Sequence, residues 1–360
     1  MHSISRRHFG RNALATAGVA LATPLFVRPA SAADRLMVVQ WGAPWIDVSK
    51  EIAEKYNQTH NTQIAWELHS GGSAAVVAKI KARWPNTQYN LLSVWDPVFR
   101  DMIAEDWLLP VDESIVTNLS AIPDAFIQKN AAGQSMTVPL STAGAFWGYR
   151  EDVLPDGFDS IEDLLRPEFK GQLAVPYPIN LSGLFVVSCA IQRGGNEFDV
   201  EPGWEFLKEL ASSGSIGRIC TNNSEFINAM ASGQYGVGFW NNGGWFSASK
   251  NFPVTIKNRM PDNKGFLYNE GLCVLKGSPE ETAWEFANYF ADSRNNELYN
   301  MNLGSGPTHP EAKANPAIAS WYYSPEELED HAYIPDYAHL GRVKNEWNQR
   351  WEQEIVPLIR

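Results

Sequence analysis

Cysteine is scarce in this chain. Only Cys189, Cys220 and Cys273 occur in 360 residues, and they share no spacing that would hold a metal or frame a set of disulfides. Cys189 and Cys273 sit in apolar runs, so the cysteines are expected to be buried packing residues. Histidine is also sparse, at seven. His60, His69, His309, His331 and His339 show no ligand spacing. H-E-x-x-H, G-x-S-x-G and Walker loops are missing. That argues against an exported hydrolase, the rival class, and predicts no cofactor. Beyond residue 33 no stretch reaches the roughly 18 uncharged apolar residues that cross a bilayer. Positive charge is in deficit, with 29 Lys plus Arg against 41 Asp plus Glu and a net charge of −12. Nucleic acid and anionic membrane surfaces are therefore poor partners, while a cationic ligand is compatible.

The first 33 residues read as an export signal. Ser5-Arg6-Arg7-His8-Phe9 opens a basic region, residues 13–27 are apolar and uncharged, and Ala30-Ser31-Ala32 supplies a small-x-small cleavage site. The adjacent arginines are similar to a twin-arginine signal. The mature chain is expected in the periplasm. Loss of Arg6, Arg7, Arg11 and Arg28 leaves 25 basic against 41 acidic residues, a net charge of −16.

Beyond the signal, short apolar strands alternate with amphipathic helices. Strands are predicted at Leu36-Met37-Val38-Val39, Ile64-Ala65-Trp66-Glu67-Leu68 and Leu91-Leu92-Ser93-Val94-Trp95. Helices are predicted over 48–56 and from about Ser73, with Val48, Ile52 and Tyr56 on one face of the first. A second α/β cluster comes after Pro139, with a strand at Leu173-Ala174-Val175, helices over 184–191 and 204–210, and a strand over 235–240. Ser160-Ile161-Glu162-Asp163 resembles a capping box, and Ser278-Pro279-Glu280-Glu281 and Ser324-Pro325-Glu326-Glu327 read as helix starts with an N-cap serine. A strand over 266–275 is long enough to cross back to the first cluster. The fold class is therefore α/β, with two lobes and a cleft between them.

Six segments occur in order along the mature chain: Trp41-Gly42-Ala43-Pro44-Trp45, Tyr89-Asn90-Leu91-Leu92, Trp107-Leu108-Leu109-Pro110-Val111-Asp112, Val138-Pro139, Asp159 to Leu164 with Pro167-Glu168-Phe169-Lys170-Gly171, and Gly304-Ser305-Gly306-Pro307-Thr308-His309. Their order and spacing resemble family 1 of the bacterial extracellular solute-binding proteins of ABC transporters, most closely its spermidine/putrescine-binding branch. The resemblance implies the type II periplasmic-binding fold. It also implies a monomer that takes one small-molecule ligand and passes it to a membrane permease. The implied boundaries are residues 34–140 with 268–325 for one lobe, 141–267 for the other, and a helical segment over 326–360 packing on them.

Open α/β sheets bind ligands at the carboxyl ends of their strands. Aromatic residues recur there: Trp41 and Trp45 after the first strand, Trp95 after the third, Trp240 after Phe239, and Tyr268 on the crossover strand beside Glu270. Indole and phenol faces attract organic cations, and a carboxylate adds a charge-assisted bond. Alignment with the polyamine binders implies ligand roles for Trp240, Tyr268, Glu270 and Asp96. Trp147, Tyr177, Ser182 and Asn241 join the candidate set as further cleft residues. The polyamine binders place acids in the loop after the first strand of the second lobe. Here Pro176-Tyr177-Pro178-Ile179-Asn180-Leu181-Ser182-Gly183 has none, which favours a shorter monoamine, an amine carrying hydroxyls or a zwitterion over a long polyamine. A competing cue is Ser70-Gly71-Gly72-Ser73, whose backbone N–H groups at a helix start suit a phosphonate or carboxylate. Ferric ion is the remaining alternative, with Tyr322-Tyr323 as the tyrosine pair it would need. No metal ligand set is predicted.

Overall fold

The computed structural model describes residues 34–42, 44–69, 72–323 and 327–359. The export signal, Ser70 and Gly71 of the anion-loop candidate, and the Ser324-Pro325 helix start lie outside the described residues. Gly72 and Ser73 fall at the head of the second helix.

The first α/β group consists of three parallel strands, β1 (Asp34–Gln40), β2 (Thr62–Leu68) and β3 (Leu91–Trp95), with helices α1 (Trp45–Asn57), α2 (Gly72–Arg83) and α3 (Asp96–Ala104). α1 buries Val48, Ile52 and Tyr56, a spacing of four that keeps one face inward. The 13-residue β4 (Val138–Arg150) leads into the second group: β5 (Leu173–Pro176), α4 (Leu184–Gln192), α5 (Glu201–Ser213), β6 (Ile216–Cys220), α6 (Asn223–Ala231), β7 (Val237–Asn241), α7 (Asn242–Ser249) and β8 (Val254–Lys257). The chain then returns through β9 (Gly265–Val274) to α8 (Glu280–Ala291), α9 (Ser293–Leu303) and β10 (Gly306–Pro307). It closes with α10 (Leu328–His331), β11 (Ala332–Tyr333) and α11 (Tyr337–Arg350).

All these strands belong to one sheet ordered β2-β1-β3-β9-β4-β7-β5-β6, with β8 and β10 also on β4 and β11 on β9. β9 is antiparallel to both β3 and β4, and β4 is antiparallel to β7. These two long strands therefore join the two parallel groups. Adjacent residues on each strand feed opposite cores. Val38 packs with Ile52, Leu272 and Phe286, whereas Val39 packs with Val76, Phe99 and Cys273. In the second group Trp147, Phe185, Phe239 and Leu207 form one core, and Phe226, Trp240 and Trp245 form another on the opposite side. Tyr337, Leu340, Trp347, Trp351 and Ile355 of the C-terminal segment enter the first of these. The three cysteines are buried and free. Among the described residues no helix is long and apolar enough to cross a membrane.

The helix starts differ in outcome. Ser160 and Asp163 form the expected capping box, although it closes a 3₁₀ turn rather than an α-helix. Ser278 is not an N-cap. Pro279 holds that position without a side-chain cap, and the Ser278 hydroxyl instead donates to the Asn90 carbonyl at 3.2 Å. Proline can enter the helix without its own N–H bond, so the serine is free to tie α8 back to β3.

Candidate ligand site

The sheet register places Glu270 opposite Trp95 on β3 and opposite Ser141 on β4. A register shift on β4 between Pro139 and Ser141 falls beside it. Gly271 is required at this point, because a Cβ there would stand 2.4 Å from the Val138 carbonyl oxygen. Glu270 is 9% exposed. Burial pushes its carboxyl up from 4.5 to about 7, opposed only by a hydrogen bond from Trp45. That bond is long: Trp45 Nε1 donates to Oε2 at 3.4 Å. Among the described residues no lysine or arginine offsets the charge.

Aromatic rings enclose this carboxyl. Trp45, at the start of α1, reaches across to the first turn of α7. A Cβ on Gly243 would lie 2.8 Å from its ring, so only glycine permits this approach. The hydroxyls of Tyr268, Tyr299 and Tyr322 are all driven well above their usual range, first by burial and then by the negative charge of Glu270. Tyr268 packs edge-on against Trp95, with centroids 4.9 Å apart. The Tyr322 hydroxyl donates to the Gly304 carbonyl at 2.7 Å. Asn242 is held beside it, accepting from Gly144 N and donating to Gly304 O at 2.8 Å. Trp41 stacks on His69 at 4.0 Å. Burial lowers the His69 imidazole to about 4, against a bond to the Ser93 carbonyl.

Trp45, Trp95, Tyr268 and Glu270 are thus brought together, while Trp41 contacts His69 instead. Trp147, Trp240, Asn241 and Tyr177 are committed elsewhere, and Ser182 is placed only by its backbone. Trp147 is a core residue: it is 1% exposed, lies against Phe158, Phe185 and Phe239, and its Nε1 donates to Ser188 at 2.8 Å. Trp240 is also core. It stacks face to face on Phe226 at 4.8 Å and donates to Asn223, because β7 turns that side chain toward α6. Asn241 caps α7 by accepting from Gly244 N. Tyr177 donates to Glu352 at 2.8 Å and meets Trp351 edge-on. Ser182 lies in a left-handed turn before α4, at φ 51°. Asp96 stands next to the site, but its two oxygens accept from Gln128 and from the Asn269 backbone at 2.7 and 2.8 Å. Burial raises its carboxyl to about 6 against those bonds.

Tyr299 and Ser141 did not figure among the candidates, whereas Asn242 is legible with Asn241 as a polar neighbour of Trp240. Ser141 lies just beyond the Val138-Pro139 landmark. Tyr299 carries no local signal, because only the packing of α9 on α1 and β4 aims it inward.

A family model described as bacterial extracellular solute-binding protein matches residues 51–324. No curated protein matches the sequence significantly. Solved structures share the fold at low identity. An ABC transporter protein from Clostridium perfringens superposes with TM-score 0.70 at 20% identity, covering 89% of this chain and 99% of its own. The spermidine/putrescine ABC transporter substrate-binding protein PotD from Streptococcus pneumoniae gives 0.69 at 15%, covering 88% and 99%. Iron-bound HitA from Pseudomonas aeruginosa gives 0.68 at 18%, covering 90% and 99%. The shared architecture is the two-lobed periplasmic-binding fold. Polyamine-binding and iron-bound neighbours match almost equally, so the polyamine branch is not singled out.

Proposed function

The chain belongs to the family of bacterial extracellular solute-binding proteins, and from that premise we propose that it captures a small organic amine between its lobes and delivers it to the permease of an ABC importer. In this reading the lobes exchange at residues 140–141 and 267–268, within the stretch where β4 and β9 pair antiparallel. One observation carries the amine assignment. Glu270 is a buried carboxyl with no cation beside it among the described residues, ringed by Trp45, Tyr268, Tyr299 and Tyr322. A buried carboxylate without a partner is costly. An ammonium would supply the missing charge, and aromatic faces would add roughly 0.5–2 kcal/mol each.

Isothermal calorimetry with monoamines, putrescine, a phosphonate and a ferric salt tests this reading. Amines are expected to bind one per chain, and Glu270→Gln is expected to remove that binding. If only the anion or ferric ion binds, the amine assignment fails.

A further inference from the structure

Unsatisfied polar atoms gather around Glu270 from β3, β4 and α9. Ser93 Oγ, Ser141 Oγ and the Tyr299 hydroxyl are buried without a hydrogen-bond partner, and all three residues are fully buried. Ser141 faces Glu270 across β4 and β9, so their Cβ atoms stand about 5 Å apart on one face. Tyr299 feels the Glu270 charge, and its hydroxyl makes weak polar contacts with Ser93 and Gln40, but none of them has the distance and angle of a formed hydrogen bond. Trp41 Nε1 and His69 Nδ1, on two stacked rings tied to β3 through the Ser93 carbonyl, are unpartnered as well. His69 is neutral, and its Nε2 must donate to the Ser93 carbonyl. Its Nδ1 is therefore a bare acceptor.

Buried polar atoms in native proteins are almost always paired, and an orphan calls for an explanation. One stray hydroxyl could be ignored. Here the orphans cluster within reach of the carboxyl assigned to the ligand's ammonium, and they mix donors with acceptors. A hydroxyl satisfies both kinds at once. A methylene or a second ammonium does not, and Asp96, the acid beside Trp95, is already occupied at both oxygens.

We propose that the ligand is a hydroxylated monoamine, its ammonium on Glu270 and its hydroxyl on the floor made by Ser93, Ser141 and Tyr299. This rests on the amine reading above and deepens it. The probes are ethanolamine and 2-amino-1,3-propanediol, each set against its methyl-for-hydroxyl counterpart, n-propylamine and 3-aminopentane, with putrescine alongside. Calorimetry is expected to favour each hydroxylated amine over its counterpart by roughly tenfold, since a lost partner leaves buried groups unpaired. Ser141→Ala, Ser93→Ala and Tyr299→Phe are expected to shrink that preference by weakening ethanolamine severalfold more than n-propylamine, a pattern that mere loss of packing would not give.

Equal affinity within each pair, or tighter putrescine, overturns the inference and leaves the amine reading standing. A hydroxyl preference undiminished in all three variants also overturns it, because the floor is then not what reads the hydroxyl. If none of the amines binds, this inference and the amine reading fall together.

Discussion

Glu270 sets opposing demands on stability and on binding. Its carboxyl titrates near 7 in the folded chain against an ordinary 4.5. Below pH 4.5 both states hold the proton. Between 4.5 and about 7 the unfolded chain releases it and the folded chain keeps it, so stability falls as pH rises through that window and levels off above it. The full cost is about 3 kcal/mol. Glu270→Gln is therefore expected to make the ligand-free protein more stable at pH 8 and to flatten this part of its pH profile, while abolishing amine binding. Chemical denaturation at pH 5 and pH 8 measures the first effect, and an unchanged profile would show that Glu270 is not the group responsible. The sequence pointed to this carboxylate through its place beside Tyr268 on the crossover strand and through the resemblance to the polyamine binders. It could not separate Tyr268 from Trp240. Both come after apolar strand residues, and only the pairing of β7 with β4 and β5 decides that Trp240 faces α6.

At the scale of elements, periodicity predicted more than chemistry did. The parallel strands β1 to β3 and the inward face of α1 follow from alternation and from the spacing of Val48, Ile52 and Tyr56. The role of Ser278 did not, since a serine before proline looks the same whether it caps a helix or bonds to a neighbouring strand. Asn241 offers a test of the capping role that replaced its ligand role. Its side chain accepts from Gly244 N at 2.8 Å, and Asn241→Ala is expected to cost about 1 kcal/mol. Trp147 lies on β4 in the core between β4 and α4. Trp147→Ala is expected to cost about 3–5 kcal/mol without changing amine affinity well below the melting temperature. A selective loss of affinity with full stability would return Trp147 to the site. Tyr337, Leu340, Trp347 and Trp351 fill the same core from the far end of the chain. Deleting residues 337–360 should therefore expose that core and abolish cooperative unfolding, as monitored by circular dichroism.

For the molecule as a whole, folding, protonation and binding share one group. An ammonium needs Glu270 ionised, so at pH 6 the incoming amine must expel a proton that the ligand-free protein holds. Binding is expected to release nearly one proton at pH 6 and almost none at pH 8.5. Affinity should fall by up to tenfold for each pH unit below 7. Calorimetry in buffers of different ionisation heat reads the proton directly, and the Glu270→Gln background separates it from other groups. Ligand at about one hundred times its Kd should add about 2.7 kcal/mol to stability. Raising the pH from 6 to 8 should therefore weaken the empty protein and leave the loaded one nearly unchanged, because Glu270 is ionised in both the loaded and the unfolded states there. A net charge of −12 for the full chain favours cation capture at long range, and added salt should slow association more than it speeds release. Amine binding that took up or released no proton at pH 6 would mean that the ammonium sits elsewhere.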